Sequence, residues 1–210
     1  MFKSVHFEGL PGSGKTSASQ SLYRALDKAQ VCASWYLEED KNHPITPELL
    51  RRRSQAADFG DQCLEAWVRF QNNRSGIQIL DGYALQSTVR LMFANQVKHP
   101  KIVDYFERWA EKSNGHMEFV FFYVDAPQVH FQNIISDRGE HWATLLERYI
   151  QRTPYGRAQN LTGRAGLAEF WARYQEMCMK LLSDTRFRHT HATAHKWGAD
   201  EEKELVKRLA

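Results

Sequence analysis

The sequence predicts an α/β three-layer sandwich, a parallel five-stranded sheet with helices on both faces, and three observations carry that expectation. A short apolar stretch at 4–7 runs into a glycine cluster and then into Ala18, Leu22, Ala25, Leu26 and Ala29, which reads as strand, glycine loop and amphipathic helix. Residues 119–124 form an unbroken aromatic and aliphatic run of the kind found in strands buried on both faces. Strand-like and helix-like segments alternate along the chain, an order that builds a parallel sheet and places ligands beyond the carboxyl ends of its strands.

Taken in order, a second strand is expected at 31–37, helices at 48–57 and 58–72, and a third strand at 77–80 after the break at Gly76. The fourth strand is the run at 119–124. Pro127 opens the next helix, 137–140 is a polar break, and 145–150 and 167–182 have helical patterns. A last strand falls at 187–193, and Asp200 is placed to cap a terminal helix carrying Leu205, Val206 and Leu209. A chain of 210 residues and 24.5 kDa supports one sizeable core, so residues 1–210 are expected to form a single domain with a small helical lid at about 137–165.

Composition excludes several classes. Apolar residues make up 42% and charged residues 25% of the chain, the proportions of a soluble globular protein, and no run approaches the roughly 18 apolar residues of a membrane span. His6 and Glu8 interrupt the opening stretch, which therefore lacks the apolar centre of a secretory signal, and a cytoplasmic location is the expectation. The charge of +3 is small and its lysines and arginines are dispersed, which argues against nucleic acid as a partner. Cys32, Cys63 and Cys178 are few and far apart, as reduced core thiols are. His189, His191 and His195 lack a nearby cysteine or carboxylate to complete a tetrahedral metal set. The oligomeric state is open, a homodimer included.

Gly9, Gly14, Lys15 and Thr16 satisfy the pattern G-x-x-x-x-G-K-[S/T] where a strand turns into a helix, which is the P-loop in its required context. Chance alone would produce the pattern in roughly one chain of this length in a hundred. The chemistry explains the residues. Glycines let successive amides point inward at an anion, and the helix start adds about half a positive charge. Gly9, Leu10, Pro11, Gly12, Ser13, Gly14, Lys15, Thr16 and Ser17 are therefore expected to hold the phosphates of ATP, with Lys15 on the outer phosphates and Thr16 on Mg2+.

The stretch Phe7-Glu8-Gly9 leading into Gly12-Ser13-Gly14-Lys15-Thr16 resembles the opening of thymidylate kinases and deoxyribonucleoside kinases. Asp81-Gly82-Tyr83, followed by Ser87, is similar to the Asp-Arg-Tyr motif of the former and more loosely to the Glu-Arg-Ser motif of the latter, with Gly82 standing where the family carries an arginine. Phe122 to Pro127 resembles the family's fourth strand and its exit, and Asp137-Arg138-Gly139-Glu140 falls where an arginine-bearing lid occurs. The resemblance implies an ATP- and magnesium-dependent kinase of a small molecule. It also implies that Glu38 or Glu39, at the end of the second strand, takes the acceptor's proton.

Phosphoryl transfer to a hydroxyl needs a carboxylate within reach of the acceptor and cations around the moving phosphoryl group. Glu38, Glu39, Asp40 and Asp81 are the carboxylates at strand ends, Glu39 being the first choice for the base and Asp81 for the magnesium shell or the base itself. Tyr83 either stacks on the acceptor or fills the core. Arg138 is the first choice for the lid cation, followed by Arg148, Arg152, Arg157 and Arg164, with Pro154 to Arg157 forming a turn that aims its arginine. Arg51, Arg52 and Arg53 would suit a phosphate-bearing acceptor, as in a nucleoside monophosphate kinase, but the acidic cluster at 38–40 would repel one and favours a neutral hydroxyl. A nucleotide switch or ATPase without acceptor is the rival of a different class. No Asn-Lys-x-Asp tetrad marks a guanine reader.

Overall fold

A computed structural model of the chain describes residues 2–44, 57–113, 116–183, 188–193 and 197–209. The helix expected at 48–57 lies outside them but for its last residue, as do Arg51, Arg52, Arg53, His195 and the side chains of His189 and His191. Five strands, β1 Phe2–Gly9, β2 Ala33–Tyr36, β3 Gly76–Asp81, β4 His116–Tyr123 and β5 Arg188–Thr193, pair in parallel in the order β2-β3-β1-β4-β5. The predicted sheet is therefore present, and β1, which feeds the glycine loop, lies at its centre.

The helices are α1 Lys15–Lys28, α2 Phe59–Asn72, a π-helical turn Ala84–Val89 running into α3 Arg90–Ala94, and α4 His99–Lys112, followed by α5 Pro127–Arg138, α6 Glu140–Arg152, α7 Pro154–Ala158, α8 Gly163–Leu182 and α9 Ala199–Leu209. Asp200 does not cap α9 as expected. It lies inside the first turn, and the helix is entered from Gly198, whose N–H donates to the Glu201 carboxylate at 3.0 Å.

Strand alternation sorts β1 onto two cores. Val5 and Phe7 face α1 and α9, packing with Leu22, Leu26, Val120, Phe122, Leu205 and Leu209. Residues one step out of phase, Ser4, His6 and Glu8, are fully buried on the other face, where the larger core gathers Trp67, Trp109, Phe119, Phe121 and helices α2 to α8. A centre strand buried on both faces carries three polar side chains, and each needs a partner. His6 bonds Ser4 at 3.1 Å and stacks on Phe119, while Glu8 is held by the chain beyond β3. Tyr83, 5.0 Å from Trp67 between ring centres and without exposed surface, fills this core. Cys63 and Cys178 are buried thiols as expected, whereas Cys32 is exposed because β2 begins only at Ala33. No helix among the described residues is long and apolar enough to cross a membrane.

Candidate active site

The loop between β1 and α1 is shaped by glycines in the left-handed region, with φ of 144° at Gly9, 74° at Gly12 and 96° at Gly14. A Cβ on Gly12 would stand 2.5 Å from Ile134 of α5, and one on Gly9 2.7 Å from the Phe122 carbonyl, so the loop is pressed between α5 and β4 with no room for a side chain. The Ser13 N–H donates to the Leu10 carbonyl at 3.2 Å, while the buried Ser13 hydroxyl has no partner. Lys15 is buried and its Nζ donates to the Leu10 carbonyl at 3.0 Å. Burial pushes its pKa down, and the carboxylates of Asp81, Glu38 and Glu8 pull it back up. A desolvated ammonium with a carbonyl partner, beside an orphaned hydroxyl and a cradle of amides, is suited to a phosphate tail.

Thr16 and Asp81 meet across the carboxyl edge of the sheet. The Thr16 hydroxyl donates to Asp81 Oδ2 at 2.5 Å. Burial raises the Asp81 pKa, against Lys15 and the Thr16 hydroxyl, which lower it. Two converging oxygens, one of them a carboxylate, are the hard donors that Mg2+ takes, so this pair fits the cation expected here.

A further carboxylate, Glu38, follows the end of β2. Its carboxylate Oε2 accepts a 2.6 Å bond from Gln86 Nε2, and burial raises its pKa while Lys15 and Arg90 lower it. Gln86 is itself anchored from β1, since Glu8 accepts the backbone N–H groups of Leu85 at 3.1 Å and Gln86 at 3.0 Å. A carboxylate on the first amides of the π-helical turn is the helix-capping arrangement, supplied here by a strand 77 and 78 residues away. Glu39 borders the same cavity but is exposed, and Asp40 folds its carboxylate back onto the Leu37 N–H at 2.8 Å.

Lys15, Thr16, Glu38, Glu39, Asp81 and Arg138 all line one cavity of about 620 Å³. The residues expected at the site from separate stretches of sequence are thus brought together. Arg138 ends α5 exposed, its guanidinium 5.2 Å from the Trp142 ring centre. The other lid candidates do not line this cavity. Arg164 is paired with Glu140 and with Glu147, and Arg157 donates to the Arg152 carbonyl, so the turn after Pro154 aims its arginine back at the helix before it. Arg148 and Arg152 are exposed elsewhere.

Gln86, Arg90, Trp142, Tyr149 and Trp171 line the cavity without having been singled out. One signal was available for two of them: Gln86 and Arg90 stand four residues apart, the spacing that brings side chains onto one helical face.

No protein-family model and no curated protein sequence matches this chain. Among solved structures it is similar to deoxyadenosine kinase from M. mycoides with bound dATP, at a TM-score of 0.51 and 15% identity, over 98% of this chain and 97% of that one. At this identity the likeness speaks for the fold alone, which is a P-loop, deoxyribonucleoside kinase-like fold.

Proposed function

We propose that this chain is an ATP- and magnesium-dependent phosphotransferase whose acceptor is a small hydroxyl-bearing molecule, a nucleoside first among them. The observation that carries the reading is the partly buried Glu38 carboxylate, fixed by Gln86, on the same cavity as Lys15, Thr16 and Asp81. In the reaction the acceptor oxygen bonds to the γ-phosphorus, its proton passes to a carboxylate oxygen of Glu38, and the bond from phosphorus to the bridging oxygen breaks as ADP leaves. Glu38 is preferred to Glu39 because Gln86 fixes its carboxylate and because burial raises its pKa, which makes it the stronger base. Lys15 exchanges the Leu10 carbonyl for phosphate oxygens. Mg2+, held by Thr16 and Asp81, would supply charge that offsets the triphosphate. Arg138, with the helices α6 and α7 as a lid, closes over the transferred group. A phosphate-bearing acceptor, as in a nucleoside monophosphate kinase, is disfavoured by three carboxylates, Glu38, Glu39 and Asp81, on one cavity.

The test is label transfer from γ-labelled ATP with magnesium to nucleosides, nucleotides, sugars and aminoglycosides. Nucleosides are expected to take the label, and Lys15→Ala to abolish transfer. Glu38→Gln should lower turnover by about 100-fold or more while ATP affinity holds. ATP hydrolysis indifferent to every acceptor would instead identify a nucleotide switch.

A further inference from the structure

A side chain at position 82 would be strained in this backbone and would press on the Glu38 carboxylate. Gly82 has φ 74°, and a Cβ there would lie 2.9 Å from Glu38 Oε2 and 3.3 Å from the Gln86 amide. We propose that Arg90 is the cation that grips the transferred phosphoryl group and the acceptor oxygen in place of the arginine missing at 82. The proposal rests on the phosphotransfer reading above and adds a catalytic residue to it.

Arg90 lines the cavity with Lys15, Thr16, Glu38 and Asp81. Its guanidinium is fixed at two points, Nε donating to the Gln86 carbonyl at 2.8 Å and Nη1 to the Tyr149 hydroxyl at 2.8 Å, with Cζ 5.7 Å from the Tyr149 ring centre. A guanidinium has five N–H donors in a rigid fork, so two anchors leave three for a ligand. Among the described residues no carboxylate lies within ion-pair distance of it. This separates it from Arg164, which is committed to Glu140 and Glu147.

The same residue, Gln86, anchors both partners of the reaction. Its side chain holds the Glu38 carboxylate, its carbonyl holds Arg90, and its own N–H is held by Glu8. Arg90 also favours ionised Glu38, the form that accepts the proton. As the oxygen–phosphorus bond forms and the bond to ADP breaks, Arg90 donates N–H bonds to the phosphoryl oxygens. It transfers nothing itself.

The experiment has two arms. In the first, Arg90→Ala is expected to lower transfer from ATP to the four deoxyribonucleosides by ~100-fold, the effect of losing one preorganised donor, with partial recovery on adding ethylguanidinium. Arg90→Lys keeps the charge without the fork and should remain about tenfold down, which serves if the alanine variant does not fold. Tyr149→Phe removes one anchor alone and should show a smaller loss. Unchanged transfer in the Arg90 variants overturns the proposal.

The second arm needs no acceptor. ADP with fluoroaluminate and magnesium mimics the phosphoryl group in flight, and the Arg90 variants should lose its extra affinity over ADP while binding ADP normally. If the unaltered chain labels no acceptor, the functional reading fails, and this arm still decides Arg90: a selective loss supports it and equal binding removes it. An unaltered chain that binds ADP–fluoroaluminate no better than ADP counts against both.

Discussion

Glu8→Gln separates what the buried carboxylate does for the fold from what its neighbours do. Glu8 is fully buried, and its two oxygens accept the N–H groups of Leu85 and Gln86. Burial raises its pKa from 4.5 to about 7, outweighing those bonds and Lys15, which act in the opposite sense. At 1.36 kcal/mol per unit, that span makes ionised Glu8 cost the fold about 3 kcal/mol relative to the unfolded chain. Because the folded pKa lies above the unfolded one, the stabilisation is whole below about pH 4.5, drains away as pH rises, and is gone above about pH 7. Glutamine does not titrate. Its NH2 must oppose one of the two amides, leaving a buried donor unsatisfied at a cost of about 1–3 kcal/mol. The variant should therefore be clearly less stable than the parent at pH 5, and the gap should shrink by about 2–3 kcal/mol by pH 8. Urea unfolding followed by tryptophan fluorescence at both pH values measures it, and the difference between the two proteins cancels every other titrating group. Parallel stability profiles would refute the claim that Glu8 is the buried acid.

His6 should act with the opposite sign: burial and His43 lower its pKa from 6.5 to about 3, so its stabilisation is complete above 6.5 and up to about 5 kcal/mol is lost as pH falls towards 3. His6→Phe keeps the stack on Phe119 and gives up the Ser4 bond, at about 1 kcal/mol near neutrality, and its acid limb should be flatter in unfolding midpoints at pH 7 and 4. Gly82→Ala should cost about 1–2 kcal/mol for left-handed backbone and lower transfer by displacing the Glu38 carboxylate 2.9 Å away. Lost stability with full transfer would show that Glu38 is not the base.

How far the sequence was legible follows from how local each signal is. The glycine loop, the strand before it and the helix after it lie within 28 residues, and their geometry is fixed by residues adjacent in sequence. The run Phe119 to Phe122 alternates between the two cores, which is why it carries no polar positions. Asp81 was legible as the last residue of its strand. Arg138 was legible too, but the other arginines were not, because their competition for partners is settled by residues far away in sequence. Arg164 finds Glu140 across 24 residues, and Arg90 finds Tyr149 across 59. Between Glu38 and Glu39, adjacent in sequence, only burial and the reach of Gln86 decide.

The glycine at 82 shows why a motif read letter by letter can mislead about chemistry. A left-handed residue there lets the chain turn from β3 into the π-helical turn while its N–H reaches the Phe7 carbonyl at 2.9 Å and its carbonyl accepts the Ser87 hydroxyl at 2.7 Å. That tight turn brings Gln86 against Glu38, and an L side chain at 82 would occupy the space their contact needs. The backbone that fixes the carboxylate therefore disfavours any side chain at position 82. Besides Lys15 and Arg138, the same cavity is lined by a cation from the helix that follows the turn. Arg90, two four-residue steps on and bonded to the Gln86 carbonyl, is the residue this geometry makes available.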